Sequence, residues 1–110
     1  MSEELYPPFL KWGDYRSKDK ENPDVLRVEV IETETFETEF STNLRAKVDG
    51  IEKNIPLQNF ESKNKQLLKK FLEAQKKGKI QVGKEFRIKT WLGVSKTNKE
   101  FSIRRFELVF

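Results

Sequence analysis

The chain has 110 residues, with 22 Lys and Arg against 18 Asp and Glu for a formal charge of +4, and it contains neither Cys nor His. That composition excludes disulfides, thiolate or imidazole metal ligands, and the Cys and His nucleophiles and bases of many enzymes. A charged fraction of 36% is high for a folded protein, but nine Phe and two Trp supply enough ring area for one small core. No apolar run approaches the ~20 residues that span a bilayer and no signal-peptide pattern is present, so one soluble, cytoplasmic domain with no membrane partner is expected.

Charge is segregated along the chain. Residues 1–62 hold eight Lys or Arg against fourteen Asp or Glu, net −6, whereas residues 63–110 hold fourteen against four, net +10. A basic half of that strength is a footprint for a polyanion. For any one lysine, a solvated surface position explains it as well.

Residues 1–24 carry Pro7, Pro8, Gly13 and Pro23 and read as an irregular arm. Tyr6, Phe9, Leu10, Trp12 and Tyr15 make it too apolar for a solvated tail, so the arm is expected to dock on the remaining domain, residues 25–110. Its rings plug one end of the core, or else bases stack on Trp12 or Tyr15. A first strand spans 25–35, with Leu26, Val28 and Val30 alternating against Arg27, Glu29 and Ile31. An acidic connection follows, with Glu32, Glu34, Glu37 and Glu39 around Phe36 and Phe40. The second strand, 40–48, sets Leu44, Ala46 and Val48 against Asn43, Arg45 and Lys47. Asp49-Gly50 is the signature of a two-residue hairpin turn, and the third strand, 51–57, follows it with Pro56 near its end.

Ser62 can cap a helix of about four turns whose apolar side carries Leu67, Leu68, Phe71, Leu72 and Ala74, with Gly78 closing it. A fourth strand, 85–91, sets Phe86, Ile88 and Thr90 against Arg87, Lys89 and Trp91. After a basic loop over 92–99, the last strand, 100–110, has Phe106, Leu108 and Phe110 at alternate positions. Phe101 and Ile103 fall on the other parity, which predicts a bulge near 102–104.

The order β-β-β-α-β-β, with the helix between the third and fourth strands, resembles the OB-fold over residues 25–110. Lys79-Ile80-Gln81-Val82-Gly83-Lys84-Glu85-Phe86 is similar to the short Gly-containing lead-in to the fourth OB strand, and Leu10-Lys11-Trp12-Gly13-Asp14 to a lead-in before the first. An SH3-like barrel would not explain a helix at that place. The resemblance implies an all-β, five-stranded barrel with one helix, binding oligonucleotides or oligosaccharides on the face of its second and third strands and the adjacent loops.

Single-stranded DNA or RNA needs a basic groove with exposed rings on which bases stack. The candidates are Phe40, Arg45 and Lys47 on the second strand, Arg87, Lys89 and Trp91 on the fourth, Lys96 and Lys99 in the following loop, and Arg104 and Arg105 on the last. Only one of the adjacent Arg104 and Arg105 can serve a groove, because the two point to opposite faces. Trp91 is either an exposed ring on a basic face or a ring packed under a loop or the arm. The four glutamates of the first connection oppose a phosphate ligand, unless the strand is held elsewhere or they turn away. The alternative to nucleic-acid binding is an adaptor that engages another protein subunit. Catalysis, a cofactor and a metal site are not expected, since the carboxylates have solvated positions and no imidazole or thiol joins them.

Overall fold

The computed structural model describes residues 8–61, 64–94 and 102–110. After a single 3-10 turn at Trp12–Asp14, the chain runs through β1 (Asp24–Val30), β2 (Phe36–Glu37), β3 (Ser41–Val48), β4 (Ile51–Asn59), α1 (Gln66–Lys76), β5 (Glu85–Val94) and β6 (Ser102–Val109). All six strands belong to one antiparallel sheet. β4 pairs with β3, β3 with β1, β1 with β5 and β5 with β6, while β2 lies beside the first half of β3. A mostly β architecture with one helix is therefore present. Among the described residues no helix is long and apolar enough to cross a membrane.

Alternation decides which face is buried. Leu26, Val28 and Val30 of β1, Leu44, Ala46 and Val48 of β3, and Phe86 and Ile88 of β5 all point to one side and join the core. Each such side chain contributes about 1.5–3 kcal/mol by leaving water. At the β3–β4 hairpin Asp49 and Gly50 take φ of 51° and 87°, the left-handed pair that a two-residue turn demands. Asp49 also fixes β1: its N–H donates to the Arg27 carbonyl at 2.9 Å, and its carboxylate accepts from the Arg27 N–H at 3.2 Å.

Several elements differ from the sequence-based expectation, each for a local reason. The first strand stops at Val30, because residues 31–35 offer no apolar alternation to bury, and the acidic connection contains the short β2. The helix has eleven residues rather than four turns. Ser62 lies outside the described residues, and the Gln66 N–H donates to Asn64 Oδ1 at 3.1 Å. Leu67, Phe71 and Ala74 are buried while Leu72 remains 43% exposed, on the rim of the apolar stripe. The bulge predicted near 102–104 is absent. Pairing runs unbroken from Val94–Ser102 to Arg87–Val109, and the irregularity lies instead between Thr42 and Asn43.

The hydrogen-bonded path does not close between β4 and β6 among the described residues. The N-terminal segment occupies that seam. Leu10 N–H donates to the Asn54 carbonyl at 2.8 Å and Asn54 N–H to the Pro8 carbonyl at 2.9 Å, so the segment adds to the free edge of β4. Leu10 is buried in the core. The Trp12 indole N–H then donates to the Pro56 carbonyl at 2.7 Å, which leaves the ring edge-on to Phe106 of β6 with centroids 5.0 Å apart. From the far side, Arg104 of β6 turns inward and donates from Nη2 to the Tyr15 carbonyl at 2.7 Å and from Nη1 to Thr90 Oγ1 at 3.1 Å. Burial lowers the Arg104 pKa, and the charge of Asp24 opposes that shift.

Trp12→Ala should lower the unfolding free energy by about 2–4 kcal/mol, and Trp12→Phe by about 1–2 kcal/mol, since the second keeps a ring on Phe106 but loses the bond to Pro56; urea unfolding followed by circular dichroism measures both. Burial, and then the carboxylates of Asp49, Asp14 and Asp24, raise the Tyr15 pKa. The neutral phenol is thus favoured in the fold, so its contribution is complete below the ordinary tyrosine pKa of about 10 and is lost as pH rises through the higher folded value. Tyr15→Phe should therefore show a shallower loss of stability than the parent chain in urea titrations above about pH 10.

Candidate functional site

Cross-strand register assembles the outer face of the sheet in rows. On β1, β5 and β6 the first row sets Arg27 directly opposite Arg87, with Val109 beyond. The second row is Val25, Lys89 and Glu107, and the third pairs Trp91 with Arg105. Three consecutive rows thus bring together four cations, one carboxylate and a tryptophan. Arg87 is exposed, while Lys89, Trp91 and Arg105 are half-buried. Gly93 makes room for Arg105: a Cβ there would lie 3.2 Å from Arg105 Cγ, so the arginine stem runs across the glycine beside Trp91.

Opposing like charges within the sheet are unfavourable. Arg27 finds some relief in Glu85, at 3.6 Å, but both side chains are more than half exposed and such a pair contributes little. The Arg27–Arg87 juxtaposition is therefore a cost that stability alone does not explain.

The other candidates are distributed differently. Arg45 sits on the outer face of β3 with its guanidinium between Glu32, at 3.5 Å, and Glu52, at 3.8 Å. Lys47 has Glu29 opposite it on β1 and Glu52 opposite it on β4. Both cations stand among carboxylates and do not extend the basic rows. Phe40 is 68% exposed at the start of β3, beside Phe60, whose N–H donates to its carbonyl at 2.8 Å. Arg104 faces inward and holds the seam. Lys96 and Lys99 lie outside the described residues.

Of the acidic connection, Glu32, Glu34, Glu37 and Glu39 are all exposed. Among the described residues no three carboxylates converge on a point that could hold a metal ion. Sequence reasoning missed Arg27 as a site residue, although its alternation with Leu26 and Val28 already placed it outward. Phe9, read from the sequence as part of the docking arm, is left 45% exposed.

The cost of the opposed arginines is measurable. Arg87→Thr should raise the unfolding free energy by about 0.2–1 kcal/mol in low salt, and the gain should shrink as salt is added; urea unfolding at two ionic strengths tests this.

Comparison with family models, with curated proteins and with solved structures finds no match to this chain, so its own geometry alone bears on function.

Proposed function

We propose that this chain is a single-stranded nucleic-acid-binding module of the OB type, a small barrel that holds the strand on the outer face of β1, β5 and β6. The barrel reading is supported by the strand order β4-β3-β1-β5-β6, by the helix between β4 and β5 packing against β4 and β6, and by Trp12 joining those two edge strands. The binding reading rests on one observation. Register sets Arg27 against Arg87, then Lys89, then Trp91 beside Arg105, in consecutive rows.

Each component has a physical role. Arg27, Arg87, Lys89 and Arg105 neutralise successive phosphates and release their counterions, which supplies affinity without sequence preference. Trp91 offers a ring for base stacking, with the Arg105 guanidinium on the next strand as an additional planar surface. The carboxylates around Arg45 and Lys47 repel phosphate from β3 and β4, so the strand is confined to the β5 side. The contact set is thus narrower than the sequence suggests: Arg45, Lys47 and Arg104 drop out, and Arg27 enters.

Titration of a fluorescently labelled oligothymidylate or oligouridylate tests the reading. The affinity should fall with salt at about 0.7 log units per log unit for each phosphate neutralised. Trp91→Ala should lose about 1–3 kcal/mol, and the double change Arg87→Ala and Lys89→Ala should flatten the salt slope by about 1.4, two phosphates' worth. Absence of binding at low salt, or an unchanged slope in the double variant, refutes it.

A further inference from the structure

At the other edge of the same outer face, a trough of about 410 Å³ opens over β3 and β4, lined by Phe9, Glu32, Phe36, Thr38, Arg45 and Asn54. Arg45 and Asn54 are a registered cross-strand pair and form its floor. One wall is Phe9, which is bridged to Asn54 and 45% exposed. The other is Phe36 of β2, held in place by its pairing with Asn43. Thr38, whose N–H donates to the Ser41 carbonyl at 2.8 Å, closes the turn behind it.

The charge around this trough is opposite to that of the basic rows. Between Glu29 and Glu52 the chain carries seven carboxylates against Arg45 and Lys47. The Arg45 charge is met twice over, by Glu32 and by Glu52. Such a surface repels nucleic acid and attracts cations, while its two phenyl walls offer apolar contact and favourable faces for an ammonium or guanidinium. The acidic groups extend along the connection and β2 rather than converging on one point, which suits charges spread along an extended chain better than a compact cation.

We infer that this trough docks a cationic peptide segment of a partner protein, with one apolar side chain seated between Phe9 and Phe36 and flanking Lys or Arg residues facing the glutamates. Aromatic walls around one buried anchor, with charged groups at the rim, are the usual distribution of binding energy at such interfaces. The site is separate from the basic rows, so the two can be tested independently.

The probe is a short synthetic peptide of alternating lysine and leucine, titrated calorimetrically. Oligolysine and an alternating glutamate–leucine peptide of equal length serve as controls. The lysine–leucine peptide should bind, oligolysine should bind about tenfold more weakly for lack of an anchor, and the acidic peptide should not bind. Phe36→Ala and Phe9→Ala should each weaken binding about tenfold, and the rim change Glu37→Lys should weaken it with no ring removed. Arg87→Thr should leave it unchanged. Circular dichroism of each variant checks the fold, and Glu37→Lys carries the test if either alanine variant unfolds. Absence of saturable binding, equal binding of oligolysine, or insensitivity to Phe9, Phe36 and Glu37 overturns the proposal. Sedimentation showing that the chain pairs with itself through Phe36 overturns it too, by assigning the trough to a second copy.

Discussion

The hydrogen bond and the ring contact of Trp12 join the two ends of the sheet, on which the helix also packs. The Trp12 indole donates to a carbonyl of β4 and presents its edge to Phe106 of β6, so a single side chain from outside the sheet joins strands that do not pair. The constraint behind it is geometric. An antiparallel sheet with one apolar face must have that face covered, and here α1 and Trp12 lie against both terminal strands, which do not pair with each other among the described residues. Pro56 lies on β4 at the seam, has no N–H to give, and leaves its carbonyl free to receive the indole instead. Arg104 completes the join from β6 through the Tyr15 carbonyl. The rows of the outer face are set by register within the sheet, and this join fixes its two free edges.

Much of the fold was legible because its signals are local. Leu26, Val28 and Val30, or Phe86 and Ile88, announce their strand by alternation, and Asp49-Gly50 announces its turn. The misplacements have non-local causes. β2 is two residues long and exists only because β3 supplies partners for it, so no pattern in residues 36–37 marks it. Arg104 reads as a surface residue by type, yet it points inward because a carbonyl 89 positions away accepts its hydrogen bond. That inward turn also removes the need for a bulge. Ile103 lies on the outer face opposite Gly93, and Phe106 and Leu108 keep the inner parity.

The candidate site was legible to the level of parity and no further. Alternation puts Arg87, Lys89 and Trp91 on one face of β5, and the structure places them in successive outward rows. Parity does not say what stands opposite. Register reveals that Arg27 faces Arg87 and that Lys47 lies between Glu29 and Glu52, and side-chain geometry that Arg45 is held between Glu32 and Glu52. Four cations that look equivalent in sequence therefore fall into two pairs with opposite surroundings. The +10 of the second half of the chain overstates what any one surface offers, since α1 and the residues flanking it, 64–79, carry +5 of it.

The same register explains how one sheet carries two surfaces of opposite sign. β1 is the boundary: Arg27 belongs to the basic rows, and Glu29, two residues on, belongs to the acidic row with Lys47 and Glu85. Neighbouring strands lie about 4.8 Å apart, so β3 and β5, on either side of β1, are separated by about 10 Å. Screening at physiological salt falls off over about 8 Å, whereas at 0.01 M the range is about 30 Å. In dilute salt the two fields therefore overlap, and the acidic patch weakens the pull of the basic rows on a polyanion. At physiological salt they act nearly independently. Charge is thus segregated across the width of one sheet, with cations gathered on β1, β5 and β6 and carboxylates around β3 and β4.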